Sequence, residues 1–258
     1  MTAETSEPTA QAPTRPFSNR QIDKLVSKFD RTLRRSDGFV VDWFGEEEAA
    51  AIRQEVLDEY RRLIPEVPYI GGRRNMYSRT LMGTPQPLAL HRVVTRHGGT
   101  VSDTGEFLHR WMRERLERIP RVLRHLMGRY RFSRVKIRQY ERTARRSQKR
   151  RYAGDWVLEA VDADGEAFDT GFDITECGIA KFLHDQDADE LTPYICDLDH
   201  LLAEAMGYGL ERTRTLSWGC DRCDFRLTKD GETSAPWPPQ FIEATCGEPA
   251  TKDSGTTT

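Results

Sequence analysis

The 258-residue chain contains no apolar run approaching the roughly 20 residues that a bilayer-spanning helix requires. Its opening stretch, Met1 to Pro16, has neither a basic nor an apolar segment, so no signal peptide is expected. The HExxH and HxH spacings of hydrolytic zinc sites are missing. A glycine-rich phosphate loop and the GxSxG nucleophile turn are missing too, and no internal repeat is present. These absences exclude several large enzyme classes and leave a highly charged protein, with 31% charged residues. Cysteine is scarce, with an odd count of five. In a chain without an export signal this favours free thiols in a reducing cytoplasm over a disulfide framework.

What is present is unevenly placed. The five cysteines, Cys177, Cys196, Cys220, Cys223 and Cys246, all fall in the last third. The net charge of -2 hides a segment, Arg110 to Arg151, with 17 basic and 3 acidic residues, about +14. The remainder therefore carries about -16. Such a middle can offset acidic flanks or bind an anion. Aromatic residues there are few (Trp111, Tyr130, Phe132, Tyr140), so a small-molecule partner is favoured over nucleic acid. The sequence gives no oligomeric state.

Periodicity predicts an α+β fold: an N-terminal helical part, then two antiparallel β-hairpins with intervening helices. The expected boundaries are a tail over 1–16, a helical region over 17–151 and an α+β unit over 152–230 packed on the helices. A second tail is expected over 231–258. Ser18 is the expected cap of a first helix carrying Ile22, Leu25, Val26, Phe29 and Leu33. A second helix starts near Gly45 with the stripe Ile52, Val56, Tyr60, Leu63 and Ile64. The segment 69–87 reads as irregular, and a short helix follows near 88–95. A long helix over about 104–127 should bury Leu108, Met112, Leu116, Ile119, Leu123 and Leu126, with Pro120 kinking it or starting a second one. Arg142 to Arg151 reads as an exposed loop or fraying helix. Strands at 155–161 and 167–174 flank the turn Asp162-Ala163-Asp164-Gly165. Helices are expected over 176–184 and 193–206, then a second hairpin of 213–218 with 223–228.

Candidate chemistry concentrates between Trp156 and Lys229. Cys177 and Cys196 both fall at predicted helix starts, where the macrodipole favours a thiolate. Asp199 lies three residues beyond Cys196, on the same helix face. A carboxylate there can act as a base or partner, but it also raises a neighbouring thiol's pKa. Cys220-Asp221-Arg222-Cys223 is a CxxC, and a four-cysteine zinc site would need Cys177 and Cys196 to meet it. Strand alternation puts Cys223, Phe225 and Leu227 on one face and Asp224 and Arg226 on the other, so Cys223 and Asp224 cannot both enter one pocket from a regular strand.

Together these segments are familiar. Gly171-Phe172-Asp173-Ile174-Thr175-Glu176-Cys177 resembles one motif of the L-2-amino-thiazoline-4-carboxylic acid hydrolase family. Leu191-Thr192-Pro193-Tyr194-Ile195-Cys196-Asp197-Leu198-Asp199 is similar to a second motif. Arg212-Thr213-Arg214-Thr215-Leu216, followed by Gly219 and Cys223-Asp224-Phe225-Arg226, is similar to a third. The resemblance covers about 156–229, and within it Cys220 is an addition. It implies a hydrolase acting on a C–N bond of a small cyclic amidine, with no cofactor. The candidate catalytic residues are Cys196, Cys177, Cys223, Asp199 and Asp224, with Arg226 and Arg212 as substrate carboxylate binders. Either a thiolate attacks, Cys196 being preferred, or a carboxylate activates water. The alternative is a metal- or thiol-based binding or redox module built on the cysteine cluster.

Overall fold

The structure is a computed structural model that describes residues 17–35, 37–239 and Cys246, with the side chains of 37–40, 42 and 43 outside the description. The tail expected over 1–16 lies outside it, as does the tail beyond 239 apart from Cys246. Helix α1, Asn19–Arg34, opens on a reciprocal cap: Gln21 N donates to Ser18 Oγ and Ser18 N donates to Gln21 Oε1. Helix α2, Asp37–Leu63, is broken at Gly45, whose φ of 79° leaves the helical region. The expected helix from Gly45 is therefore present, and a preceding helical segment joins it. Its apolar stripe Ile52, Val56, Tyr60 and Leu63 is buried. Buried Glu59 accepts from Arg92 Nη1 at 3.1 Å and Arg96 Nη1 at 3.3 Å, clamping α2 to helix α4, Pro85–Arg96. The short helix α3, Ser78–Leu81, and two 3₁₀ turns fill the irregular segment between them.

Pro120 starts a new helix rather than kinking one. Helix α5 is Val101–Glu117 and α6 is Arg121–Tyr130. The expected buried stripe holds at Leu108 and Leu116 but fails on α6, where Leu123 is 49% and Leu126 58% exposed. The reason is Gly128. It is buried inside α6, where a Cβ would come within 2.3 Å of the Met206 carbonyl oxygen. That backbone contact rotates the Gly128 face inward and the leucine stripe outward.

Helix α7, Arg134–Ser147, corrects the expected loop or frayed helix over most of its length. Ser133 caps it, and its C-terminal end is tied to the sheet. Leu158 N donates to Ser147 Oγ at 2.9 Å, and Gln148 Nε2 donates to Leu158 O at 2.8 Å. These bonds satisfy Leu158 on the free edge of strand β1, Val157–Val161.

The remaining strands are β2, Thr170–Glu176, β3, Tyr208–Glu211, and β4, Cys223–Lys229. The four form one antiparallel sheet in the order β1-β2-β4-β3. The fold is thus α+β, with the two hairpin halves merged into one sheet. The expected partner 213–218 of the second hairpin is wrong, because β3 takes that place. Segment 213–218 is a loop with a 3₁₀ turn, Leu216–Trp218. Its backbone is claimed by side chains: Asp224 accepts from Thr213 Oγ1 and Arg214 N at 2.6 Å each, and Ser217 N donates to Thr215 Oγ1 at 3.4 Å. Such local bonds compete with a strand ladder. Helices α8, Gly178–His184, and α9, Thr192–Met206, pack beside the sheet, and α9 stops at Gly207 in the left-handed region.

Beyond β4 the chain returns to α5. Ala235 is buried, and its carbonyl accepts from Arg113 Nη2 at 2.9 Å. Cys220 and Cys246 form a disulfide with Cα atoms 5.1 Å apart. The expectation that all five cysteines are free thiols is therefore corrected: three are free.

Candidate active site

The alternation of β4 divides the candidate residues. Cys223, Phe225 and Leu227 are buried on the inner face of the sheet. Asp224 and Arg226 lie on the other. Asp224 is spent on the 213–214 loop. Arg226 donates to Asp173 Oδ1 at 2.8 Å and covers the Phe168 ring. Register explains this pairing: Asp173 stands opposite Asp224 and Gly171 opposite Arg226, on β2. Neither Asp224 nor Arg226 shares a face with the cysteines. Their expected part in a common site is withdrawn.

Cys177, Cys196, Cys223, Asp199 and Arg212 do come together, within electrostatic reach of one another. Cys177 precedes α8, Cys196 and Asp199 lie on α9, Cys223 begins β4 and Arg212 follows β3. Arg212 is the centre of the group. Its side chain is 1% exposed, it donates to Asp199 Oδ2 at 3.1 Å and to the Cys196 carbonyl at 3.0 Å, and it lies 5.0 Å over the Phe225 ring. Its Nε has no hydrogen-bond partner among the described residues. So Arg212 ties α9 to the sheet, and its guanidinium fixes the Asp199 carboxylate.

Asp199 combines two properties that usually exclude each other. Its side chain is 46% accessible, yet desolvation by the surrounding protein pushes its pKa up against the opposing charges of Arg212 and Arg131. An accessible carboxylate whose surroundings disfavour its charge is a candidate functional group. Cys177 and Cys196 share this pattern, being part-exposed but strongly desolvated.

Burial decides the state of the thiols. It pushes Cys196 up to about 12, against the pull of Arg212. It pushes Cys177 up to about 11, and the nearby backbone amides of Ala180 and Ile179 offset only part of that. Cys223 is also raised by burial, although Leu216 N and Thr215 Oγ1 lie 3.3 Å from its sulfur. The expectation that helix starts would favour thiolates fails here. Loss of hydration and the carboxylate of Asp199 outweigh a one-turn dipole.

Sequence reasoning missed four contributors. Tyr77, from the irregular 69–87 segment, stacks on Trp156 at 4.8 Å between ring centres, and its hydroxyl pKa is raised by burial. Tyr140 stacks on Phe172 at 5.3 Å. Arg131 donates to Tyr140 Oη at 3.3 Å and lies 5.1 Å over Tyr208. Asp197, 2% exposed, is pushed up to about 7 by burial, and its Oδ2 has no partner among the described residues. Only the run of family-like residues around Asp197 offered any signal. Arg131 and Tyr140 were submerged in the general basicity of 110–151.

A separate cleft of about 410 Å³ lies between α5, α6 and α9, lined by Arg113, Arg121, Arg124, His125 and Glu204 among others. It includes none of the cysteines nor Asp199. Among the described residues no group of three or more His, Cys, Asp or Glu side chains is arranged to hold a metal ion. The four-cysteine zinc set is broken by the Cys220–Cys246 bond.

No curated protein and no solved structure matches the chain. Residues 103–227 match the family model described as L-2-amino-thiazoline-4-carboxylic acid hydrolase. The match takes in the three motifs and extends back across α6 and α7 into α5, so Arg131 and Tyr140 fall within it as well. Through this segment, just under half of its length, the chain is similar to the L-2-amino-thiazoline-4-carboxylic acid hydrolase family.

Proposed function

We propose that the protein is a hydrolase that adds water to the amidine carbon of a small cyclic amidine, with Asp199 as the general base. The observation that carries this reading is the accessible but desolvated Asp199 carboxylate, fixed by buried Arg212 beside three free thiols. Desolvation moves a carboxylate's basicity toward neutral pH, where general-base catalysis gains most. A protonated amidine is a cation whose central carbon is electrophilic, and an accessible carboxylate suits it by charge and by hydrogen bonding.

The step balances with one water. Asp199 takes a proton from the water as its oxygen bonds to the amidine carbon. The ring C–N bond then breaks with its electron pair going to nitrogen, the carbon keeps the oxygen as a carbonyl, and the nitrogen takes up the proton from Asp199 and the one released by the hydroxyl, leaving as an ammonium. Cys196 and Cys177, with pKa values near 12 and 11, serve this scheme as neutral thiols lining the site. Arg212 is a positioning residue, since both its bonds are made within the protein.

The test is turnover of 2-amino-thiazoline-4-carboxylate and a panel of cyclic amidines by purified protein, followed by mass spectrometry for a product heavier by one water. Asp199→Asn is expected to lose at least about 100-fold in kcat. A folded wild-type protein that turns over none of the panel overturns the proposal, and so does full activity in Asp199→Asn.

A further inference from the structure

Arg131 is a guanidinium without an anion. It follows the last turn of α6, at Tyr130, and points toward α7, α9 and the sheet. Among the described residues it makes no ion pair, and its one hydrogen bond, to Tyr140 Oη, spans 3.3 Å. Its flat face is covered by the Tyr208 ring at 5.1 Å. A guanidinium carries five N–H donors in a planar fork, so most of this fork is uncommitted. The contrast with Arg212 is direct: Arg212 is closed off by Asp199 and a carbonyl, whereas half-buried Arg131 is braced by two aromatic residues and left open. Arg131 and Asp199 also influence each other electrostatically, yet they form no ion pair. The fixed carboxylate and the braced cation thus act on each other from beyond ion-pair distance.

We propose that Arg131 is a carboxylate-binding subsite facing Asp199, so that the site accepts a zwitterion with a cationic amidine end on Asp199 and a carboxylate end on Arg131. This rests on the reading of Asp199 given above. It moves the acid-binding role from Arg226 and Arg212, both committed inside the protein, to a residue of the basic middle segment. The two charges of the site then match a small ring acid in orientation as well as in sign, and a bare cyclic amidine loses one anchor. Tyr140 is the positioning residue, holding the fork through its hydroxyl.

The test measures binding by calorimetry, apart from turnover. The probes are thiazolidine-4-carboxylate, which has no amidine carbon to hydrolyse, and thiazolidine, which lacks the carboxylate. Wild-type protein is expected to bind the acid about 10- to 100-fold tighter. Arg131→Met should abolish that preference while leaving the affinity for thiazolidine unchanged. Arg131→Lys, which keeps the charge and loses the fork, should retain only part of it. Tyr140→Phe should weaken acid binding by less than Arg131→Met does. An unchanged preference in Arg131→Met overturns the subsite, and so does a wild-type protein that does not distinguish the probes. If Arg131→Met does not fold, Arg131→Lys decides, since full preference there removes the fork from the argument. An Arg131-dependent preference in a protein that hydrolyses no cyclic amidine keeps the subsite and defeats the catalytic reading. Hydrolysis with a preference indifferent to Arg131 does the reverse.

Discussion

Arg212 Nη1 meets Asp199 Oδ2 at 3.1 Å, joining a fully enclosed cation to a carboxylate that is 46% accessible. The asymmetry sets what each substitution does. Arg212→Met removes the buried member, and Asp199 can still be hydrated or protonated. Asp199→Asn strands the buried cation, and for a fully buried pair that costs about 3–5 kcal/mol. Because Asp199 is half exposed, water softens the loss, and about 1–3 kcal/mol is expected. Chemical denaturation of both variants checks the order. A larger loss in Arg212→Met would contradict it.

The pH dependence of the rate separates a carboxylate base from a thiolate nucleophile. With Asp199 as base, kcat rises as the carboxylate loses its proton, at a pH above the ordinary carboxylate range, and then levels off. With a thiolate from Cys196 or Cys177, the rate would keep climbing about tenfold per pH unit toward 11 or 12. A plateau, rather than a continued climb toward pH 11, is expected. Cys196→Ser should accordingly keep measurable activity.

Buried Asp197 links stability to pH in the direction opposite to a salt-bridged acid. Its folded pKa of about 7 lies above the unfolded value near 3.9. Between those values the folded state holds a proton that the unfolded state has released, so stability falls as pH rises from about 4 to about 7. The group's full contribution is present below the unfolded pKa and is lost by pH 7, up to roughly 4 kcal/mol in the limit. Asp197→Asn should flatten that slope and gain most at pH 7 and above, as read from urea midpoints across pH. A steeper slope in the variant would refute the account.

Thiol titration of the unfolded, unreduced protein should count three thiols, with five after reduction, because Cys220 and Cys246 are paired. Five before reduction would remove the disulfide.

The outward stripe of α6 predicts an unequal response to the same kind of change. Leu126→Ala, at 58% exposure, should alter stability by less than about 0.5 kcal/mol. Leu183→Ala, fully buried, should cost about 2–5 kcal/mol. Thermal melts compare the two directly.

Local rules in the sequence determined much of the molecule. The Ser18 cap, the Gly45 start and the Pro120 restart all follow from backbone chemistry within a few residues. Period-two alternation separated Cys223 from Asp224, and the motif residues carried the resemblance to the family model. Tertiary structure decided the rest, because those features depend on partners far along the chain. Gly128 against Met206 turned the α6 leucines outward, which no helical period can announce. Tyr208 to Glu211 won the place beside β4 once Asp224 had claimed the backbone at 213–214. Cysteine spacing pointed to a CxxC, but the disulfide joined Cys220 to Cys246, 26 residues away. Helix starts by themselves predict activated thiols at Cys177 and Cys196. Their surroundings, assembled from α8, α9 and the sheet, instead hold their protons on. Arg131 was one of 17 basic residues in its segment until the fold set it apart, leaving it braced by Tyr140 and Tyr208 without a counter-charge.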